Sequence, residues 1–349
     1  MIKKITLLFT LFSISLFAQE VTEEKNKFSL SGNVDTYFRQ NINGPNGENA
    51  IAPNTSFANL NGFALGMANI VGSFESGKVG AVADLVFGPR GEDATFLSSV
   101  LRPQGSSNIV NQLFVYWNIS DKIKLTAGNF NTFLGYEVIS PVENYNYSTS
   151  YLFSYGPFSH TGVKADFVLS DDWSALVGVF NNTDATEFNF DNNYTIGTQL
   201  GYKTTFLNII YGKQGGNTKA NFQIDLTAGY DLSDHFFLGI NTSYSDTDGV
   251  SFYGAALYPQ YQVSDSFKLG IRGEFFAETE EGVGAIGVYN TQGDAQVLAF
   301  TLTGSYEVGD LTIKPELRLD TTDEESFLDT DLNPSQSLAS FMVAGIYKF

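Results

Sequence analysis

Apolar and polar residues alternate with a period of two along most of this chain, from Phe28 to its last residue. In the run from Leu311 to Asp320, leucine, isoleucine and one proline occupy one parity, while threonine, lysine, glutamate, arginine and aspartate occupy the other. Successive side chains of a β-strand point to opposite faces, so the pattern predicts strands with one apolar and one polar face. The chain is therefore predicted to be all-β.

A recurring turn organises these strands. Ser-Asp occurs at 120–121, 170–171, 233–234 and 264–265, each time between two alternating runs, and longer polar connections lie between these turns. Ser and Asp suit tight turns because their side chains bond to nearby backbone N–H groups. Short connections that alternate with long ones predict an antiparallel up-and-down transmembrane barrel with one trimmed rim. We expect about 16 strands, with 14 as the alternative, near 28–40, 62–73, 78–90, 108–119, 122–131, 158–169, 172–182, 194–204, 205–213, 220–232, 235–246, 250–263, 266–278, 294–308, 311–321 and 336–349.

The N-terminus predicts export. Lys3 and Lys4 precede an apolar run from Ile5 to Phe17, and Ala18 follows it. This is the layout of a cleavable signal peptide, and the run is too short for a transmembrane helix. We predict a signal peptide at 1–18 that is cleaved after Ala18, a periplasmic lead-in at 19–27, and an outer-membrane barrel at 28–349.

Aromatic residues mark the strand ends and the end of the chain. The last strand ends on Tyr347 and Phe349, which resembles the closing strand of bacterial outer-membrane proteins. That resemblance implies an assembly signal read by the barrel-assembly machinery. Amphipathic rings at strand ends fit the aromatic girdles at the two bilayer interfaces. The girdle residues predicted in this way are Trp117, Trp173, Tyr202, Tyr211, Tyr230, Tyr244, Tyr261, Tyr306 and Tyr347.

The composition excludes several classes of function. The formal net charge is −19 and the chain has no cysteine, so it suits neither nucleic-acid binding nor a thiolate metal site. The only histidines are His160 and His235, and neither stands in a spacing typical of catalysis or of a zinc site. We predict no enzymatic activity, no cofactor and no metal.

If the apolar parity faces lipid, the opposite parity lines a lumen. A charge on the lipid face costs about 2–4 kcal/mol at the midplane, so the one-sided distribution of charges is required. An equally good reading of any single charge is that it pairs across neighbouring strands and only holds the wall together. The predicted lumen-wall residues are Asp35, Arg39, Asp84, Lys124, Lys164, Asp166, Lys203, Asp225, Lys268, Arg272, Glu274, Lys314, Glu316, Arg318 and Asp320.

The alternation stops between Gly128 and Lys164, in a stretch rich in aromatics that carries Glu137 and Glu143. As an external loop the stretch would be variable surface. As a loop folded into the barrel it would narrow the lumen, because its aromatics favour burial. In that hypothesis Glu137, Glu143, Tyr136 and Tyr145 form the constriction. The two acids would then face wall cations such as Lys124, Lys164 and Arg272.

The same region resembles a known family. The strings QLFVYWNISDKIKLTAG and GNFNTFLGYEVISPVENYNYSTSYLFSYGPFSHTGVK, which together cover Gln112–Lys164, resemble the putative β-barrel porin (OmpL-like) family of Bacteroidetes-type bacteria. The resemblance implies an outer-membrane barrel and gives no catalytic residues.

We expect a porin through which small hydrophilic solutes, ions and sugars among them, diffuse passively. Outer-membrane lipid is an expected partner, and a homo-oligomer is left open. The alternative is a barrel with a closed lumen that acts as a surface adhesin or scaffold. A soluble secreted β-sandwich ranks third.

Overall fold

A computed structural model of the chain describes residues 26–102, 104–187, 189, 192–214 and 219–349. Within these residues, sixteen antiparallel strands close into one barrel, which confirms the predicted fold and excludes the fourteen-strand alternative. A separate small hairpin, formed by β16 (Phe327–Leu328) and β17 (Pro334–Ser335), lies in the connection before the last barrel strand. The sixteen barrel strands are β1 (Lys27–Asn41), β2 (Gly62–Ser76), β3 (Val79–Phe87), β4 (Val110–Ser120), β5 (Ile123–Asn131), β6 (Ser159–Val168), β7 (Trp173–Phe180), β8 (Thr195–Tyr202), β9 (Thr205–Lys213), β10 (Ala220–Ser233), β11 (Phe236–Thr247), β12 (Val250–Ser264), β13 (Phe267–Thr279), β14 (Ala295–Val308), β15 (Leu311–Thr322) and β18 (Ser337–Lys348).

The predicted strand faces are also found in the structure. On β15, Leu317 and Leu319 point outward and are 46% and 42% exposed, whereas Glu316 and Arg318 point inward and are 2% and 4% exposed. Outward apolar residues suit a lipid solvent, in which a charge would be costly. The alternation thus reports which side of the wall each residue faces.

The two rims differ in the length of their connections. On one rim, here called the short-turn rim, neighbouring strands are joined by tight turns. The hydroxyls of Ser120, Ser170 and Ser233 accept backbone N–H bonds there, as the Ser-Asp pattern predicts. The opposite, long-loop rim carries the long connections. One short connection on this rim, Asp248-Gly249 between β11 and β12, departs from the predicted alternation, because both residues adopt the positive φ that a two-residue hairpin needs.

Outward-facing aromatic rings follow the rims. All nine predicted girdle residues are exposed on the outer surface, between 40% and 57%. Seven of them lie toward the short-turn rim, and Tyr211 and Tyr244 lie toward the long-loop rim. Trp173 and Tyr202 are cross-strand partners whose ring centroids are 4.8 Å apart. The placement fits two interfacial belts.

The last strand closes the barrel against the first. β18 pairs with β1 from Asn33 to Asn41. The pairing extends to the final residue, because Gly32 and Phe349 exchange two backbone hydrogen bonds of 3.0 Å each. Tyr347 and Phe349 both face outward.

The helices are short and lie in the connections: α1 (Pro89–Ala94), α2 (Phe96–Leu101), α3 (Tyr151–Ser154) and two 3-10 turns at Gly47–Asn49 and Ser106–Ile109. In the part of the chain that the structure describes, no helix is long and apolar enough to cross a membrane. The predicted signal peptide at 1–18 and its cleavage after Ala18 lie outside the described residues, as does all but the end of the lead-in at 19–27.

Candidate functional site in the barrel interior

The connection between β5 and β6, residues 132–158, lies inside the ring of strands and is here called the inner segment. Its backbone and side chains contact wall residues on opposite sides of the barrel. The contacts run from Phe133 O to Gln199 on β8, from Gly135 N to Asp225 on β10, from the Tyr145 hydroxyl to Thr303 O on β14, and from the Tyr147 hydroxyl to Asp35 on β1. A segment that contacts strands around the ring occupies its interior.

Wall carboxylates accept the peptide N–H groups of the inner segment. Glu316 on β15 and Glu274 on β13, both almost fully buried, do this for two peptide groups each. A buried peptide group without a partner is costly, so these carboxylates replace a β-ladder. The bonds come from the N–H groups of Tyr147 (2.9 Å) and Ser148 (3.3 Å) to Glu316 and of Tyr151 (3.0 Å) and Leu152 (2.8 Å) to Glu274.

Three guanidinium groups donate to consecutive carbonyl groups of the same stretch. Arg90 on α1, Arg272 on β13 and Arg318 on β15 are each at most 4% exposed. The acceptors are the carbonyls of Tyr147 (3.2 Å), Ser148 (2.6 Å) and Thr149 (2.9 Å), respectively. Together with the two wall glutamates, these arginines hold residues 147–152 by their backbone.

Glu137 ties the inner segment to the wall through a buried ion pair. Its carboxylate lies 2.6 Å from Nη1 of Arg272, and both side chains are almost completely buried. The other carboxylate oxygen accepts bonds from the N–H (2.7 Å) and hydroxyl (2.6 Å) of Ser150. Glu137 therefore fixes the fold of the segment as well as its position.

Lys314 and Glu143 lie on the side of the segment that faces the short turns. Lys314 Nζ donates to the carbonyls of Pro141 (3.2 Å) and Asn144 (2.5 Å). The Glu143 side chain is exposed, although the protein around its carboxylate and the charge of Asp84 raise its pKa. Glu143 is thus the acid of the segment that is open to water.

A cavity of about 620 Å³ opens between the inner segment and the short-turn rim. Tyr136 stacks on Tyr258 in its wall, with ring centroids 4.3 Å apart, and burial together with Glu137 raises the pKa of Tyr136 to about 12. The chargeable residues of the lining are of both signs: Glu137, Glu143, Asp231, Asp234, His235, Lys268, Glu307, Lys314 and Lys348. We call this cavity the vestibule.

Wall glycines make room for the rings of the segment. An added Cβ at Gly239 would lie 2.3 Å from the Tyr136 hydroxyl, and one at Gly270 would lie 2.4 Å from the Tyr145 ring. Such distances are far below van der Waals contact. Both glycines have the inward parity of their strands, so each leaves a slot for one aromatic ring.

Toward the long-loop rim the interior is packed with apolar side chains. Phe153 and Phe158 of the inner segment stack with centroids 4.9 Å apart, and Phe57 lies 5.7 and 5.8 Å from them. Met67, Val86, Ala94 and Ile139 complete this buried cluster. An apolar cluster therefore fills part of the interior toward the long-loop rim.

The structure places the wall residues expected from the sequence as follows. The buried ones are Asp35, Arg39, Asp84, Asp225, Arg272, Glu274, Lys314, Glu316, Arg318 and Asp320; the half-buried ones are Lys124, Lys164, Asp166 and Lys268. Lys203 lies instead in the turn between β8 and β9, where its φ is +53°.

The structure brings one of the expected wall cations, Arg272, against an acid of the segment. Glu137 does contact Arg272, but Lys164 pairs with Asp166 at 3.0 Å. Lys124 lies 4.3 Å from the centre of the Tyr116 ring. Both lysines find partners on their own or the neighbouring strand, so they are not directed at Glu137 or Glu143.

Sequence reasoning did not single out Arg90, Tyr147 or the wall glycines. Arg90 and Tyr147 lie in connections, where no periodicity reveals direction. Gly239 and Gly270 carried a usable signal, since a glycine on the polar parity of a strand often marks a close approach by another group.

Neither histidine stands in a catalytic arrangement. His160 is fully buried, its Nε2 lies 2.9 Å from the Thr132 hydroxyl, and its ring packs between Phe133 and Phe180. His235 lies in a short turn beside the vestibule. Among the described residues, no group of three or more His, Cys, Asp or Glu side chains could hold a metal ion.

Comparisons with known proteins agree with this geometry. The sequence model of a family described as "Putative beta-barrel porin-2, OmpL-like" matches residues 27–349. OmpF of Salmonella typhi, solved in complex with daunomycin, is 13% identical with a TM-score of 0.62, and the alignment covers 93% of this chain and 98% of that one.

OmpT of Vibrio cholerae is also similar to this chain. Its outer-membrane-expressed form is 12% identical with a TM-score of 0.54, covering 93% and 98% of the two chains. Its in-vitro folded trimer form is 13% identical with a TM-score of 0.53, covering 93% and 99%. At such identities these structures show the fold alone. No curated protein matches the chain by sequence.

Proposed function

Because the chain belongs to the family described as putative beta-barrel porin-2, OmpL-like, we propose that it is an outer-membrane porin whose lumen admits small hydrophilic solutes by passive diffusion. The family and the porin-like fold support an outer-membrane location. The chain reaches that membrane after a signal peptide is removed behind Ala18. The porin catalyses no reaction.

The inner segment carries the proposal. It narrows the lumen between the vestibule and the long-loop rim, and it places acids in a vestibule that basic wall residues also line. Glu143 and Glu137 lie on one side of the vestibule, and Lys314 and Lys268 line it as well. Opposed charges create a transverse field that favours polar solutes of low net charge over apolar ones.

The aromatic lining adds a second form of selection. Tyr136 and Tyr145 both line the vestibule, and each ring rests in a slot above a wall glycine. Flat aromatic faces beside hydrogen-bonding groups suit the alternating apolar and polar faces of a sugar ring. Ions and sugars are therefore the solutes we expect to pass.

Conductance of the purified protein in planar lipid bilayers tests the proposal. We expect discrete current steps with a preference for cations over anions, measured as a reversal potential in a salt gradient. Glu143→Gln lowers that preference, because its carboxylate faces water in the vestibule. Glu325→Gln, an equal charge change in the exposed connection after β15, leaves it unchanged. Absence of any channel at all voltages would falsify the porin.

A closed barrel that serves as a surface adhesin or scaffold is the second candidate. The observation that favours it is the packing of the long-loop half, where Phe57, Phe153 and Phe158 form one buried cluster. A closed barrel gives no conductance but still inserts in lipid. Liposome swelling with sugars of increasing size separates the two, since swelling requires an open lumen.

Outer-membrane lipid surrounds the apolar outer face, and the barrel-assembly machinery reads the strand that ends in Tyr347 and Phe349. The barrel also forms a homo-oligomer in the membrane. Support for this comes from the similar fold of OmpT of Vibrio cholerae, an outer membrane protein that was solved in a trimer form. Cross-linking in intact outer membranes, with and without detergent, tests the oligomer.

A further inference from the structure

A second and smaller cavity lies at the long-loop end of the barrel, apart from the vestibule. Its volume is about 140 Å³, which equals roughly four to five water molecules at their liquid volume. Tyr37 of β1, Asn59 and Leu60 of the connection between β1 and β2, Arg90 and Asp93 of α1, and Tyr147 of the inner segment all line it. Polar groups thus converge on a space the size of a small metabolite.

Arg90 is held rigidly beside this cavity with one nitrogen unused. Its Nε donates to Ile139 O at 2.8 Å and its Nη1 to Tyr147 O at 3.2 Å. Its guanidinium also lies over the rings of Phe57 (4.5 Å) and Tyr147 (5.3 Å). Nη2 has no hydrogen-bond partner although the side chain is only 3% exposed. A buried donor left unsatisfied is costly, so a ligand acceptor at Nη2 would be stabilising.

Tyr37 offers a second donor. Its side chain is 5% exposed, and its hydroxyl oxygen accepts the N–H of Leu60 at 3.0 Å. That bond uses an oxygen lone pair and leaves the hydroxyl hydrogen free to be donated. Tyr37 and Arg90 therefore each supply a donor in the lining of one cavity, and two donors suit the two oxygens of a carboxylate.

Asp93 supplies the opposite charge in the lining. It lines the same cavity as Arg90, yet among the described residues no salt bridge joins the two side chains. The lining therefore holds one anionic and one cationic side chain that a ligand can engage separately. A ligand with one positive and one negative group can satisfy the two at once, whereas a simple anion would be repelled by Asp93.

We infer that this cavity is a binding site for a small zwitterion of the α-amino acid class. The ligand carboxylate accepts bonds from Arg90 Nη2 and the Tyr37 hydroxyl, and its ammonium group donates to Asp93. The volume admits a side chain the size of that of alanine or serine. Leu60 and the Tyr147 ring cover its apolar part.

Isothermal titration calorimetry of the full-length barrel in detergent micelles tests this site directly. The probes are L-alanine, propionate, which lacks the ammonium group, and L-alaninol, which lacks the carboxylate. We expect alanine to bind at least about tenfold more tightly than either analogue, since each loses a charge-assisted hydrogen bond. Equal binding of propionate and alanine, or no heat from alanine, overturns the proposal.

Variants add a matched control. Asp93→Asn and Tyr37→Phe each weaken alanine binding by about tenfold, the loss expected for one such bond. Glu92→Gln removes the same charge one residue away, outside the cavity lining, and leaves binding unchanged. If Glu92→Gln weakens alanine binding as much as Asp93→Asn does, binding depends on the overall surface charge and not on the cavity, and the proposal is overturned. Calorimetry needs no ion flow, so failure here is distinct from failure of the porin proposal.

Discussion

Glu137 Oε1 lies 2.6 Å from Arg272 Nη1, and this buried ion pair joins the inner segment to β13. Removing one partner of such a pair strands a buried charge, which costs about 3–5 kcal/mol. We expect Arg272→Met to destabilise the barrel by that amount, measured by urea unfolding in micelles followed by the heat-modifiable gel shift.

The double variant provides the contrast for the pair. Arg272→Met together with Glu137→Gln leaves no unpaired charge, so its loss of stability falls below the sum of the two single losses. Single-channel recordings of Glu137→Gln are expected to show more open-state noise, because the segment loses an anchor. Additive losses and unchanged noise would show that the pair does not hold the segment.

Gly239 determines where the Tyr136 ring lies. An added Cβ there would clash with that ring, and overpacking of this kind costs about 1–3 kcal/mol. We expect Gly239→Ala to lower the free energy of unfolding by that amount and to alter conductance, since the ring is pushed into the vestibule.

Two further variants check this slot. Gly345→Ala places a methyl group where no atom lies within 4 Å, and we expect wild-type behaviour. Adding Tyr136→Ala to Gly239→Ala removes the clash and restores the stability lost through it. If Gly239→Ala lowers the free energy of unfolding equally with and without the Tyr136 ring, the ring does not occupy a slot at Gly239.

Asp184 predicts a pH-dependent stability. Its carboxylate accepts the N–H of Phe158 (2.7 Å) and of Ser159 (2.9 Å), where the inner segment joins β6. Burial raises the pKa of Asp184 to about 6, although these two bonds act to lower it. The folded state therefore binds the proton more tightly than the unfolded state, and this contribution to stability is lost as pH rises from about 4 to about 6.

The test is urea unfolding across that pH window. Asp184→Asn keeps an oxygen acceptor for both N–H groups but cannot ionise, so its stability should fall less than that of the wild type over the same interval. Asp171→Asn, in an exposed short turn, is the control and should retain the wild-type slope. Parallel pH profiles for Asp184→Asn and the wild type would exclude this role.

We predict that substitution of Phe349 affects assembly of the barrel rather than its stability. Phe349→Ala keeps both backbone bonds to Gly32 and removes only the outward ring. We expect near-normal unfolding of the purified barrel, within about 1 kcal/mol, but less folded barrel in the outer membrane of cells. Quantitative heat-modifiable gels of membrane fractions measure this, and wild-type amounts would remove Phe349 from the assembly signal.

The strands of the barrel wall were predictable because the pattern that identifies them lies in residues that are neighbours in the sequence. On β15, Glu316 and Arg318 occupy one parity, and Leu317 and Leu319 occupy the other. Because successive residues of a strand face opposite sides of the sheet, the alternation shows directly which side chains face the lumen and which face outward. The Ser-Asp turns then gave the pairing order, since each turn joins strands that are adjacent in the chain.

Contacts across the lumen could not be read in this way. Whether Glu137 contacts Arg272 or Lys164 depends on the tilt and stagger of strands that are far apart in sequence, and alternation is silent on both. The inner segment has no regular alternation, so its sequence showed only an unusual composition. It did not show in which direction the side chains of its two acids point. The hypothesis that Glu137 and Glu143 face wall cations such as Lys124, Lys164 and Arg272 went beyond the information in the pattern.

The backbone of residues 147–152 is held by charged groups from β13, β15 and α1. An evolutionary consequence follows. A lineage that shortened this connection would remove the peptide N–H groups that Glu274 and Glu316 accept and the Thr149 carbonyl that Arg318 binds. One that neutralised those wall residues would leave the connection without its bonds. Wall and segment must therefore change together in descent, and the connection that carries Arg90 is bound by the same constraint.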